Sequence, residues 1–208
     1  FLKFFITNLL RFTLFFKNSQ ILVQNKDDYN FFKKKVWIRK KNLNFNTASG
    51  INLNKYNISK EPKGKIIFLF ASRILRDKGI VELIEASRKL SKIAKNFELH
   101  IAGNIDTQNS SSFSLEEIKS WDAYSYLKYL GYVNDMNELY KKVHIVVLPS
   151  YREGLPKGLL EAAACGKPII TTNVTGCRDV VVDGTNGILI NPKDSDDLFI
   201  AMKKLMKN

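Results

Sequence analysis

The chain has 208 residues, 45% of them hydrophobic, 12% aromatic and 25% charged. That length suits one full domain and part of a second, and the composition suits a packed core rather than a disordered chain. Its two cysteines, Cys165 and Cys177, stand without a second pair or a neighbouring histidine; they offer no zinc site or disulfide scaffold and fit a reducing, cytoplasmic setting. The net charge of +13 is lopsided, because residues 1–65 hold 14 Lys and Arg against 3 Asp and Glu while residues 66–208 are near balance. Such a basic surface suits nucleic acid, anionic lipid or a diphosphate-bearing substrate, and charge alone does not choose among them.

The chain opens inside an apolar segment, FLKFFITNLLRFTLFF, with no basic leader before it, so it reads as continuing from an earlier portion. Lys3, Thr7, Asn8 and Arg11 interrupt the segment, which excludes a spanning helix. Two readings stay open, a buried or half-buried helix of a truncated domain and an interfacial membrane helix. Ile21 to Gln24 reads as a strand and Tyr29 to Lys35 as a basic helix. Residues 1–41 are therefore taken as the remnant of an N-terminal domain. Residues 42–65, rich in Asn, Ser, Gly and Lys with Pro62 near their end, read as a linker.

From residue 66 onward, short apolar runs alternate with amphipathic stretches, the pattern of a parallel sheet with helices on both faces. Strands are predicted at 66–71, 97–102, 129–132, 144–149, 168–172 and 187–190. Helices are predicted at 79–94, with Ile80, Leu83, Ile84, Leu90 and Ile93 on one face, then near 115–121 and at 156–165. A last helix, 195–206, starts at a cap formed by Asp194 or Ser195 and carries Leu198, Ile200, Met202 and Leu205. Residues 66–208 thus form one Rossmann-like layered domain.

Ligands of open parallel sheets bind beyond the carboxyl ends of the strands, which directs attention to three loops. The first, SRILRDKG, supplies Arg73, Arg76 and Lys78 before a helix start, where free amides and the helix dipole favour a phosphate. The second, PSYREGLPKGLLEAAACGKP, places Glu153 and Glu161 around Gly154, Pro156, Lys157, Gly158 and Leu159; its glycines allow close backbone approach, and a carboxylate there can accept from two vicinal hydroxyls. A glutamate among the small residues of a sheet-packed helix needs a partner, so Glu161 is expected to meet a ligand or a cation. The third, TTNVTGCRDVVVDGTNG, offers Thr172, Thr175, Gly176 and Cys177 to a sugar or phosphate, or else is a plain turn. No phosphate-binding GxxxxGK[ST] or dinucleotide GxGxxG pattern occurs.

In order and spacing, ASRILRDKG, LPSYREG, EGLPKGLLE, GKPIITT and NGILI resemble the C-terminal domain of family 4 glycosyltransferases, whose E-x7-E signature EGLPKGLLE matches. Upstream, VQNKDD and ASGINLNKYN resemble the end of that family's first domain. The loop GNIDTQNSSSFSLEEIKSW with YLGYVNDM is similar to the subgroup that extends lipid-linked bacterial surface glycans. The resemblance implies the nucleotide-sugar half of a GT-B fold and a retaining transfer of a hexose or N-acetylhexosamine from a UDP-sugar to a glycan or polyprenyl-diphosphate-linked acceptor. It implies Arg73 and Lys78 on the donor diphosphate, Glu161 on the ribose, Glu153 at the donor sugar, and Val133 near the base. No metal or other cofactor is implied. The setting implied is cytoplasmic, with peripheral contact to an anionic membrane at its inner face.

Two positions depart from the family pattern. His144 stands where the family often has Asp and reads as structural, and Gly158 replaces a small polar or β-branched residue. Competing readings are a GT-B sugar epimerase, a donor-binding fragment without turnover, and a nucleic-acid module built on the basic N-terminal part. No nucleic-acid-binding motif supports the last of these, and no nucleic-acid partner is expected.

Overall fold

The computed structural model describes residues 2–16, 18–35, 40–46 and 50–207. Residues 1–50 and 51–208 form two compact units, so the division falls inside the 42–65 stretch taken as linker; residues 47–49 of that stretch lie outside the described residues.

In the first unit, helix α1 (Leu2–Phe15) precedes strand β1 (Ile21–Val23), helix α2 (Lys26–Lys35) and strand β2 (Leu43–Phe45). β1 and β2 pair in parallel, with Ile21 opposite Leu43. Helix α2 starts earlier than expected because Asn25 caps it, accepting the Asp28 amide at 2.7 Å. Strand β2 was not foreseen, since three residues in an Asn-rich stretch have no periodicity to show. Among the described residues of this unit only Val23, Asn25, Asn42 and Leu43 are buried. Phe4, Phe12 and Phe15 of α1 are 72%, 67% and 73% exposed, so α1 is not a buried helix within this chain. Among the described residues, no helix is long and apolar enough to cross a membrane.

The second unit carries a six-stranded, all-parallel sheet. Its strands are β3 (Ile66–Ala71), β4 (Phe97–Ala102), β5 (Leu127–Gly131), β6 (Ile145–Leu148), β7 (Ile169–Thr172) and β8 (Gly187–Ile190), in spatial order β5-β4-β3-β6-β7-β8. The order reverses between β3 and β6, which opens the crevice where such sheets bind ligands. Phe68, Leu69, Phe70, Ile101, Val147, Ile169 and Ile170 are fully buried, as continuous apolar runs in a sheet covered on both faces should be.

The covering helices are α3 (Ile80–Ser91), α4 (Leu115–Ser120), α5 (Met136–Lys141), α6 (Lys157–Ala164) and α7 (Ser195–Leu205). Ile80, Leu83, Ala86 and Leu90 form the inner face of α3. The helix ends at Ser91, which leaves Ile93 beyond it and 58% exposed rather than on that face. On α7, Leu198, Ala201 and Met202 turn inward while Ile200 is 59% exposed, as the 3.6-residue period requires two positions from Leu198. Asp194, rather than Ser195, caps α7 by accepting the Asp196 and Asp197 amides. Helix α5 lies where no helix was expected; it is only six residues long, started by the side chain of Asp135 on the Glu138 amide.

Residues ahead of the sheet belong to this unit. Tyr56 is 7% exposed, its ring edge-on to Tyr140 with centroids 6.2 Å apart. His144 is structural: Nδ1 accepts the Ile67 amide at 3.0 Å and Nε2 donates to the Pro62 carbonyl at 2.9 Å, which fixes the segment leading into β3.

Candidate functional site

The carboxyl ends of β3, β4 and β5 and the start of α6 enclose a cavity of about 380 Å³. Ala71, Ser72 and Arg73 line it from the end of β3, Ala102, Gly103 and Asn104 from β4, and Tyr132, Val133, Asn134 and Met136 from beyond β5. Tyr140 of α5 and Lys157, Gly158 and Glu161 of α6 close the remaining side. Five of the residues proposed from sequence, Arg73, Val133, Lys157, Gly158 and Glu161, therefore meet around one space. A larger cavity of about 470 Å³ lies at the opposite end of the sheet, among Gly166, Lys167, Gly184, Asn186 and Lys204. Volume does not decide between them; the carboxyl-end position at the strand-order reversal favours the smaller one.

Helix α6 aims its amino terminus at the cavity. Pro156 precedes it without a side-chain cap, so the first-turn amides of Lys157 and Gly158, which line the cavity, are the ones that can meet an anion. Gly158 could carry a Cβ in ordinary contact: it would stand 3.5 Å from Ala71 O and 3.7 Å from the Tyr140 hydroxyl. Leu159 does not contribute a side chain to the site, because it points into the core at 1% exposure and its amide donates to Pro156 O at 3.0 Å.

The Glu161 side chain, 10% exposed, faces the Lys157 ammonium at 3.9 Å; that lysine is 67% exposed, so the pairing is screened by water. Two buried phenols complete its surroundings. Burial first, and then the hydrogen bond and charge of Glu161, push Tyr56 up to about 12. Burial, followed by the charge of Glu161, raises Tyr140 as well. Both phenols therefore stay protonated beside the carboxylate.

Lys78 and Glu153 were expected at the same ligand, and the structure pairs them with each other. The Lys78 ammonium donates to Glu153 Oε1 at 2.7 Å with side chains 11% and 14% exposed, and Ser150 Oγ donates to the same oxygen at 2.8 Å. Neither lines the 380 Å³ cavity. Gly79, at φ 75°, lets this loop pass the next: a Cβ there would meet Pro149 O at 2.1 Å. Gly176 does the same for the loop holding Glu153 and Gly154, since its Cβ would lie 2.6 Å from Gly154 O.

Arg73 lies in the open, 60% exposed and 3.3 Å from Asp106. The loop carrying Asp106 docks on the Arg73 loop: Ile74 bridges Ile105, Arg76 N donates to Ser111 O, and the Arg76 guanidinium pairs with Glu117 and covers the Phe113 ring at 4.4 Å. Arg76 is thereby engaged away from the cavity. In the third loop, Thr171 donates to Leu148 O, Thr172 to Ser150 O, and Cys177 is fully buried with its thiol pushed up by burial. These groups stitch β6 to β7.

Sequence reasoning missed Ser72, Gly103, Asn104, Asn134, Tyr140 and Tyr56. The first four follow strands at the carboxyl edge and were open to the rule that found Arg73. The two tyrosines had no signal, because each reaches the site through tertiary packing. Among the described residues, no three His, Cys, Asp or Glu gather as a metal ion would require.

Residues 53–208 match the family described as glycosyl transferases group 1. The N,N'-diacetylbacillosaminyl-diphospho-undecaprenol alpha-1,3-N-acetylgalactosaminyltransferase of Campylobacter jejuni is 30% identical over 99% of this chain and 56% of its own length. The capsular polysaccharide biosynthesis glycosyltransferase CapM of Staphylococcus aureus is 28% identical over 80% of this chain and 46% of its own. The chain thus spans about half the length of these relatives. In fold it is similar to the crystal structure of Anabaena HepE in complex with UDP, at a TM-score of 0.81 and 19% identity over 97% of this chain and 58% of that one. The six-stranded parallel sheet and its neighbours establish the expected architecture, the Rossmann-like C-terminal half of a GT-B fold. The family match over three quarters of the chain settles its affiliation: it belongs to the glycosyl transferases group 1 family.

Proposed function

We propose that this chain carries the donor-binding half of a retaining glycosyltransferase that moves a hexose or N-acetylhexosamine from a UDP-sugar to a glycan or polyprenyl-diphosphate-linked acceptor. The observation that carries the proposal is the gathering of Arg73, Val133, Lys157, Gly158 and Glu161 around one cavity at the strand-order reversal. The names of the relatives support the acceptor class, since one acts on a diphospho-undecaprenol carrier and another serves capsule synthesis. HepE, crystallised with UDP, supports the nucleotide.

In this reading Glu161 accepts from the ribose hydroxyls, the base lies near Val133, and the diphosphate faces Arg73 and the open amides of α6. These donors oppose the charge that grows on the departing diphosphate, which is the usual leading contribution in such chemistry. Lys78 has three N–H donors, so it can keep Glu153 and still turn one toward phosphate. Glu153, held by Lys78 and Ser150, faces the donor sugar with its orientation fixed. The transfer runs without a metal. The acceptor class and the basic residues 1–65 support peripheral binding at the inner face of a membrane.

Calorimetric titration of the chain with UDP, GDP and ADP, each alone and as a sugar conjugate and with and without chelator, tests the reading. Chelator-insensitive preference for the uridine nucleotide is expected. Absence of binding by all three, or binding that the chelator abolishes, contradicts it.

A further inference from the structure

Glu161 is a buried carboxylate whose only described cation is a largely exposed lysine 3.9 Å away. An isolated buried carboxylate is costly, and a carboxylate that must meet two vicinal hydroxyls has to point one way. What holds it is therefore a question that the sequence motif does not answer.

Tyr140 is fully buried, and its hydroxyl donates to the carbonyl of Gly158 at 3.0 Å. Gly158 is three residues before Glu161, so this bond fixes the turn of α6 from which the carboxylate projects. Tyr140 also lines the same cavity as Gly158 and Glu161, and Tyr56 packs edge-on against its ring at 6.2 Å. A Cβ built at Gly158 would have Ala71 O at 3.5 Å and the Tyr140 hydroxyl at 3.7 Å as neighbours. Burial and the nearby Glu161 charge keep both phenols protonated, which preserves them as donors.

We propose that Tyr140, backed by Tyr56, is a positioning residue that orients Glu161 and so sets how strongly the site discriminates nucleotides by their ribose hydroxyls. The inference rests on the reading of Glu161 as the ribose-binding group. Tyr140 touches the backbone that carries Glu161, and Tyr56 holds the ring of Tyr140, so both act through Glu161.

The test compares UDP with 2',3'-dideoxy-UDP on the wild-type chain, Tyr140→Phe, Tyr56→Leu, Glu161→Ala and the Tyr140→Phe/Glu161→Ala double variant. The wild type is expected to prefer UDP by about tenfold or more, the scale of hydrogen bonds to a charged acceptor. Tyr140→Phe is expected to remove most of that preference while leaving affinity for the dideoxy nucleotide within about twofold. Glu161→Ala is expected to abolish the preference, and the double variant to match it. Equal loss for both nucleotides in Tyr140→Phe would show a merely structural role and overturn the inference. Preference lost in Glu161→Ala but kept in Tyr140→Phe overturns this inference alone; preference kept in Glu161→Ala overturns the ribose reading with it. Should Tyr140→Phe not fold, Tyr56→Leu, which removes the ring packed on Tyr140 and is expected to lower the preference in the same selective way, decides: unchanged discrimination in it refutes the proposal.

Discussion

The two halves of the sheet's carboxyl edge use similar residues for different ends. Over β3, β4 and β5 the edge is open: Arg73 is 60% exposed and a 380 Å³ cavity stands beside Glu161. Over β6 and β7 it is closed: Lys78, Glu153 and Ser150 bond one another, and Thr171, Thr172 and Cys177 are buried beneath them. A cation in the open half is available to a ligand at little cost to the fold, whereas a cation in the closed half is part of the fold. Arg73 and Lys78, read as equivalents in the sequence, should therefore fail differently when replaced.

The largest effect is expected at Lys78. Lys78→Met leaves the largely covered Glu153 carboxylate with only Ser150, and stability should fall by about 2 kcal/mol in urea denaturation, less than for removing one partner of a fully buried ion pair. Adding Glu153→Gln should restore part of the loss. Glu161→Ala is expected to weaken UDP binding by about tenfold to a hundredfold, the range for losing hydrogen bonds to a charged group. Its thermal stability should change less than that of Lys78→Met.

A smaller effect concerns a part of the sheet remote from either half. Glu98 is held at a pKa of about 2 by Lys128 first and His100 next, below the 4.5 of a free glutamate. A depressed acid contributes stability above its unfolded value and loses it as pH falls toward the folded one. Glu98→Gln should therefore cost about 1 kcal/mol at pH 7, discounted because Lys128 is half exposed, and the gap to wild type should close between pH 4.5 and 2. The smallest stability change is expected for Arg73→Ala, under about 0.5 kcal/mol, because its pairing with Asp106 is solvent-screened. Its UDP affinity should nevertheless drop severalfold, and more so at low salt. If Arg73→Ala destabilised the chain as much as Lys78→Met, the contrast between open and closed halves would be wrong.

Most of the fold was legible because its signals are local. Runs such as IIFLFA and HIVVLP read as buried parallel strands, and all six sheet strands lie within two residues of where they were expected at either end. The short elements were not legible: β2 and α5 have too few residues for a period, and α5 depends on the Asp135 cap. For the site, the carboxyl-edge rule and the E-x7-E spacing found Arg73 and Glu161. They could not separate Lys78 from Arg73, because burial and pairing across 75 residues are tertiary facts. Nor could they find Tyr56 and Tyr140, whose part depends on how α5 and the segment before β3 pack on α6.

The cavity at the carboxyl edge, rather than the larger one at the opposite end, is expected to receive the nucleotide. Amide chemical-shift mapping of UDP on the isotope-labelled chain tests this most directly. Shifts are expected at Ser72, Arg73, Gly103, Asn104, Val133, Asn134, Gly158 and Glu161, all moving together to higher UDP concentration in Glu161→Ala. Shifts confined to Gly166, Lys167, Gly184 and Asn186 would contradict it.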